Sequence, residues 1–277
     1  MADRISSLPG PVRRLLKWAP IERLVATVNR SAVLRGRPAF VVRELLGRHT
    51  VADYRLVERP VIVPVRHGTS DAVTLDEVFL AHDYAIPDQV RAVLASVQEP
   101  LRVLDLGANA GYFGAFILGE FPEARIVAFE PDPDNAETVR RTIAVNHRAD
   151  RWEVIEAFAS ISDGRVGFLP GRYSLSREAR EGEPDAVEVR AADALPHLAE
   201  ADLAKVDIEG AEWPIIGDPR LANGGPRAVV LEYHPEGCPE PNAEATANRL
   251  LQAAGFRVGP ARTRPSGHGV VWAWKPT

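Results

Sequence analysis

Leu101-Arg102-Val103-Leu104-Asp105-Leu106-Gly107-Ala108-Asn109-Ala110-Gly111-Tyr112-Phe113 reads as a buried strand that ends in an acid and opens through a glycine-rich turn into a helix. Gly107 and Gly111 permit a tight turn and close backbone approach to a ligand, and the helix that follows leaves unpaired N–H groups at its start. A second strand, Arg125-Ile126-Val127-Ala128-Phe129, ends in Glu130, an acid placed to accept hydrogen bonds from both hydroxyls of an adenosine ribose. The nicotinamide fingerprint G-x-G-x-x-G is not met. Asn109 stands where its second glycine belongs, and a side chain there would obstruct a pyrophosphate lying over the turn. Asp105, just ahead of Gly107, suits a cationic ligand better than a diphosphate.

Outward from this stretch, a βα alternation runs to the end of the chain. Strands are predicted at 102–106, 125–129, 153–157, 203–208, 227–232, 255–259 and 269–274, and helices near 111–120, 133–147, 212–217 and 242–254. Such alternation implies an α/β fold with a mostly parallel, doubly wound sheet. The last two strands are joined by a Pro/Gly-rich loop too short for a helical crossover, so they should pair antiparallel. The expectation is a Rossmann-like, seven-stranded class I methyltransferase sheet spanning 99–277, preceded by an N-terminal extension over 1–98. In the extension, Leu15 to Val28 suggest one or two short helices, Val51 to Val57 and Val61 to Val65 short strands turning near Arg59-Pro60, and Val73 to Ala81 and Asp88 to Val97 helices. Arg13, Arg14, Lys17, Arg23, Arg30, Arg35 and Arg37 read as a solvated basic face. The segment 162–190, rich in Gly, Arg and Glu, reads as an inserted hairpin or flap, and Arg172, Tyr173, Arg177 and Arg180 as its solvated side chains.

The 277 residues are enough for one large α/β domain plus the extension. A net charge of −5 disfavours general nucleic-acid binding through a basic surface. With Cys238 as the one cysteine, an intrachain disulfide and a cysteine-based zinc site are excluded. No apolar run has signal length or approaches the ~20 residues of a membrane span, so a cytoplasmic location is expected. The oligomeric state is left open, a homo-oligomer included. Lysine occurs only at 17, 205 and 275 among 33 basic residues, so a generic surface arginine carries little functional weight.

A second signature stands at the end of the fourth strand: Lys205-Val206-Asp207-Ile208-Glu209-Gly210-Ala211-Glu212. Strand alternation sends Asp207 and Glu209 to one face, at the carboxyl ends of the strands where open α/β sheets hold ligands. The fifth strand delivers Glu232 and His234 in the same way, within Val229-Val230-Leu231-Glu232-Tyr233-His234-Pro235. The chemistry around Asp105 and Glu130 suits a sulfonium with an amino-acid tail, which points to S-adenosylmethionine rather than a nicotinamide cofactor. These runs, together with the Asp105–Gly111 turn and Phe129-Glu130-Pro131, resemble the FkbM family of S-adenosylmethionine-dependent methyltransferases, strongly over about 100–235 and more weakly at Glu77-Val78-Phe79, Asp83-Tyr84 and Ser174-Leu175. The resemblance implies O-methylation of a hydroxyl on a secondary metabolite, a polyketide or sugar. N- or carboxyl-methylation, or a non-catalytic cofactor-binding module, are the alternatives.

From the resemblance, Tyr84 and Pro131 join Asp105, Gly107, Asn109, Gly111 and Glu130 beside the cofactor, and Ala157 and Phe158 follow the strand where such folds hold the adenine. Asp207 and Glu209 are expected to meet cofactor and acceptor. His234 is expected to take the acceptor's proton, aided by Glu232 or Asp207, because an alcohol is a poor nucleophile until that proton leaves and an imidazole near neutral pKa suits the task. Asp207, Glu209 and His234 also have the ligand types for Mg²⁺ or Mn²⁺, but a metal is the less favoured reading. The other histidines and Cys238 have no motif around them and read as ordinary surface or satisfied groups.

Overall fold

The computed structural model describes residues 19–47, 49–97, 100–169, 177–179 and 183–276. Arg13, Arg14, Leu15, Leu16 and Lys17, and Arg172, Tyr173, Ser174, Leu175 and Arg180, lie outside the described residues. The described residues begin with helices α1 (Ala19–Arg30) and α2 (Arg37–Leu46), an antiparallel hairpin of β1 (Val51–Arg55) and β2 (Ile62–Arg66), and helices α3 (Asp71–Phe79) and α4 (Asp88–Ala95). There follow β3 (Arg102–Leu106), α5 (Tyr112–Glu120), β4 (Arg125–Phe129), α6 (Pro133–Val145) and β5 (Trp152–Ile155). Next come β6 (Phe158–Ser160), β7 (Gly164–Leu169), β8 (Arg177–Glu178), β9 (Val187–Asp193) and α7 (Leu195–Glu200). The chain closes with β10 (Leu203–Val206), α8 (Glu212–Ile216), α9 (Pro219–Ala222), β11 (Ala228–Tyr233), α10 (Ala243–Ala253), β12 (Arg257–Val258), β13 (Arg262–Thr263) and β14 (Gly269–Trp274).

The main sheet has the order β12-β14-β11-β10-β3-β4-β5, with β13 also paired to β14. Strands β11, β10, β3, β4 and β5 run parallel, and β14 is antiparallel to both β11 and β12. The chain leaves β3 toward β4 and β5, then returns to the other side of β3 through β10. The order therefore reverses between β3 and β10, and the crevice at their carboxyl ends is where such a sheet receives ligands. The doubly wound arrangement and its antiparallel end agree with the sequence pattern, and the short β13 adds an eighth strand to the seven expected.

Side chains alternate between two cores, as the strand period of two demands. Val103, Ile126, Ala128, Leu203 and Val230 enter one buried cluster, and Leu104, Leu106, Phe129, Val206 and Leu231 enter the other. The first cluster also contains Leu34, Phe40, Val63, Leu75 and Val90, so the extension shares its core with the sheet. Helix α5 is buried from Tyr112 to Leu118 between the sheet and the extension, which explains why its sequence is apolar all round. Helix α6 starts at Asp132, whose carboxylate accepts the N–H groups of Asp134 and Asn135, with Pro133 following.

Three sequence expectations change. The strand predicted at 153–157 ends at Ile155, and Phe158 opens a second sheet of order β6-β9-β7-β8. The 162–190 segment contributes the antiparallel β7–β9 pairing, with Gly164 opposite Ala191 and Phe168 opposite Val187. The strand predicted at 203–208 ends at Val206, so Asp207 and Glu209 stand on a turn and not on one face of a strand; Glu209 takes φ +54 and Gly210 φ +99.

The extension is tied to the sheet by polar clamps as well. Asp71, buried, accepts the Arg66 backbone N–H at 2.8 Å and its guanidinium Nη2 at 2.8 Å, and the same Nη2 donates to Asn135 Oδ1 at 2.7 Å. Asn146 on the turn after α6 exchanges two hydrogen bonds with the Ile62 backbone, at 2.9 and 2.7 Å. Asp71→Ala leaves the guanidinium without its carboxylate and is expected to cost about 2–3 kcal/mol, read as a lowered midpoint in urea denaturation.

Candidate functional site

The turn after β3 is fixed from both sides. The Gly107 and Ala108 N–H groups donate to the Phe129 carbonyl at 3.1 and 2.9 Å, and the Gly111 N–H to the Ala108 carbonyl at 2.8 Å. Gly107 has φ +81, and a Cβ there would collide with the Asp207 carbonyl oxygen. Asn109, which breaks the nicotinamide fingerprint, takes φ +50, a left-handed conformation that asparagine tolerates. Glu130, 4 % exposed, accepts the Asn109 N–H at 2.7 Å, the Asp132 N–H at 3.0 Å and the Asn135 side-chain amide at 3.3 Å. Burial outweighs these bonds and raises its carboxyl to about 7.

Two cavities meet at this turn. One is lined by Glu130, Pro131, Asn135, Phe158, Phe168 and Ile208, the other by Glu77, Asp83, Tyr84, Glu232, His234 and Arg264. Gly107, Asn109, Asp207 and Glu209 line both. A larger cavity of about 530 Å³ opens among Arg102, Arg125, Trp152 and His197 at the amino ends of β3–β5. That is the wrong end of an open α/β sheet for its ligand, and none of the carboxylates at the seam reaches it.

The second cavity is rich in charge. Tyr84 Oη shares its proton between Asp207 Oδ2 at 3.1 Å and Glu232 Oε2 at 3.0 Å. Arg264, from the loop between β13 and β14, donates to Asp83 Oδ2 at 2.8 Å and lies 3.6 Å from both Glu77 and Glu232. His234 Nδ1 is 2.8 Å from Glu212 Oε1, and its Nε2 is 3.4 Å from Glu209 Oε2. Glu212 in turn accepts the Ile208 and Gly210 N–H groups at 3.0 Å. One ligating atom from each of Asp207, Glu209 and His234 falls within 4.8 Å of the others.

Protonation follows from this crowding. Burial and the Asp207 charge raise Glu209 to about 8 and Glu232 to about 7. Burial would raise Asp207 too, but the charges of Lys205 and His234 hold it below the usual carboxylate range. Burial pushes His234 down; the hydrogen bond and charge of Glu212, with Asp207 and Glu209, overcome this and raise it to about 10. The expectation of a neutral His234 poised to take a proton is therefore corrected. The three carboxylates Glu212, Asp207 and Glu209 favour the imidazolium over the neutral ring.

Of the residues singled out in the sequence, Glu130, Pro131, Phe158, Gly107, Asn109, Asp207, Glu209, Tyr84, Glu232 and His234 line the two cavities. Asp105, Gly111 and Ala157 line neither; they are buried beneath or beside the turn. Asn135, Phe168, Glu77, Arg264 and His268 line a cavity without having been singled out as site residues. Glu212 was visible only as the last residue of the second signature, and Arg264 and His268 sit in a loop with no motif.

A doubly wound sheet with a cationic-ligand turn at its switch point and an acid after the second strand defines a Rossmann-like, class I methyltransferase fold. The chain belongs to the FkbM methyltransferase family: the family model described as "Methyltransferase FkbM domain" matches residues 105–258. It is similar to Methyltransferase sdnD of Sordaria araneosa, 28% identical over 221 residues that cover 66% of this chain and 80% of that protein. It is also similar to AMB antimetabolite synthetase AmbE of Pseudomonas aeruginosa, 26% identical over 301 residues that cover 90% of this chain and 14% of the synthetase. Among solved structures, TYW2 of P. horikoshii in complex with MeSAdo aligns with a TM-score of 0.42 and 16% identity, covering 99% of this chain and 97% of that one. The protein is thus an S-adenosylmethionine-dependent methyltransferase. Its residues fit that cofactor: apolar side chains for a flat base, a buried carboxylate at the end of β4, and a surplus of carboxylates for a sulfonium and an ammonium. Among the described residues, no helix is long and apolar enough to cross a membrane.

Hydroxyls donate more strongly to an ionised carboxylate than to a protonated one, so if the ribose meets Glu130, affinity for S-adenosylhomocysteine is expected to rise as pH climbs through about 7, where Glu130 loses its proton. Glu130→Gln should bind about 1–3 kcal/mol more weakly at pH 8 and reduce the pH dependence. Calorimetric titration at pH 6, 7 and 8 measures both.

Proposed function

We propose that the protein transfers a methyl group from S-adenosylmethionine to a hydroxyl oxygen of a small secondary metabolite, a polyketide or a sugar. The observation that carries this reading is the seam: Asp207 and Glu209 line both cavities, so a donor along one and an acceptor in the other would meet between them. The relationship to a synthetase named for an antimetabolite supports a small-molecule acceptor. S-adenosylmethionine, when bound, supplies an electrophilic methyl on a sulfonium. In this reading Glu130 accepts the ribose hydroxyls, Phe158 and Phe168 cover the base, and Asp207 faces the cationic end. Residues 1–98 act as the cover of the acceptor side through Glu77, Asp83 and Tyr84.

Proton removal is assigned to the carboxylates rather than to His234. Glu209 and Glu232 hold their protons near neutrality because negative charge is in excess around them. A cation bound at the seam favours their ionised forms. The acceptor's O–H proton then passes to one of them as the oxygen–carbon bond forms and the sulfur–carbon bond breaks. His234 remains an imidazolium, held by Glu212, that orients Glu209. Much of the acceleration in this scheme comes from holding the two reactants in line.

Glu209→Gln and Glu232→Gln are expected to lower kcat by roughly 10²-fold or more, with a smaller loss in His234→Asn. A larger loss in His234→Asn than in both carboxylate variants would return the base role to the histidine. The profile of kcat/KM, which reports the free enzyme, should rise with pH through about 7 to 8 as Glu232 and Glu209 ionise and fall near about 10 as His234 loses its proton. A neutral histidine base would give only a rise near its ordinary pKa.

The imidazolium already serves as counter-ion to Asp207 and Glu209, so activity is expected to survive EDTA. A loss that Mg²⁺ or Mn²⁺ restores would instead make Asp207, Glu209 and His234 a metal site.

A further inference from the structure

Lys205 is the buried cation that the scheme above does not use. It sits on β10 in register with Asp105 on β3, its side chain 4 % exposed. Its Nζ donates to the Gly107 carbonyl at 2.7 Å and lies 3.1 Å from Asp207 Oδ2, 3.4 Å from Asp105 Oδ1 and 3.4 Å from the Leu106 carbonyl. The Tyr84 ring closes the cluster, its centroid 5.9 Å from Nζ. The ammonium therefore touches the carbonyl side of the cofactor turn, while Glu130 holds the amide side of that turn at Asn109.

We propose that Lys205 is a positioning residue, whose ammonium pins the Gly107 carbonyl and the Asp207 carboxylate so that the cofactor turn and the seam keep one fixed relation. The inference rests on the cofactor lying along this turn.

Asp105 acts as the counter-ion that makes this cation tolerable. Both of its oxygens are buried and accept no hydrogen bond, so its contact with Lys205 is an ion pair alone. Together the three groups carry one net negative charge, and the seam still attracts a cation although an ammonium stands in it. The residue type supports the role. In a chain whose 33 basic residues include only three lysines, the buried one is a lysine. A compact ammonium can donate to backbone carbonyls and still stand between two carboxylates on different sides, which a planar guanidinium fork cannot.

The test compares Lys205→Met with the double variant Asp105→Asn/Lys205→Met, reading thermal unfolding and the calorimetric affinity for S-adenosylhomocysteine. The single variant leaves two buried carboxylates without their cation and should melt lower and bind about tenfold or more weakly. In the double variant the fully buried Asp105 charge is gone and only the more exposed Asp207 lacks its cation, so stability should return in large part. Affinity should stay about tenfold or more below wild type, because the Gly107 carbonyl and Asp207 still lack the ammonium. Wild-type affinity in the double variant would overturn the inference and reduce Lys205 to a partner for Asp105. So would undiminished binding by the single variant. Absence of binding by the wild-type protein would overturn the cofactor reading itself, an outcome distinct from either.

Discussion

Gly107 lies so close to the Asp207 carbonyl oxygen that no side chain fits between the turn after β3 and the end of β10. The rest of the site depends on that approach. It needs a residue at φ +81 without a Cβ, and it brings the first signature of the chain into contact with the second, about a hundred residues later. Through it, the amide side of the turn reaches Glu130 while the seam carboxylates Asp207 and Glu209 face both cavities. A topological switch between β3 and β10 creates the crevice; the missing side chain at Gly107 lets its two walls touch.

Around that contact carboxyl groups outnumber cationic side chains. The second cavity is lined by Glu77, Asp83, Asp207, Glu209 and Glu232 against Lys205, His234 and Arg264. Taking carboxylates out of water without a partner is costly, and the cost appears as retained protons on Glu209 and Glu232 and as a firmly held proton on His234. A cation entering such a site would favour the ionised forms of these carboxyls. That preference accords with a sulfonium donor and disfavours the diphosphate of a nicotinamide cofactor, as Asn109 does on steric grounds.

The architecture was legible in the sequence because it rests on local signals. Apolar runs of strand length, glycines at the turn, Pro133 after Asp132 and the short Pro/Gly loop before β14 each specify their own piece of chain. Glu130, Asp207 and Glu209 were legible as cavity-lining residues because they follow strand ends. What failed were inferences that extend a local rule across a tertiary boundary. Alternation was carried two residues past Val206, where the chain already turns at Glu209. The ordinary pKa of histidine was applied to His234, although Glu212, 22 residues away in sequence, decides its protonation. Arg264 and His268 carry no pattern at all; the antiparallel end of the sheet brings their loop over the site.

The Arg264–Asp83 ion pair joins the two ends of the chain across the acceptor side, and both partners lie outside the residues that match the family model. The groups that Glu130 holds are synthesised by residue 135, whereas the side of the second cavity that Asp83 and Arg264 clamp waits for a residue much later in the chain. On the ribosome, then, that clamp can form only after the Glu130 corner has been made. Both partners of the clamp can therefore be substituted without altering the sequence of the stretch that matches the family model.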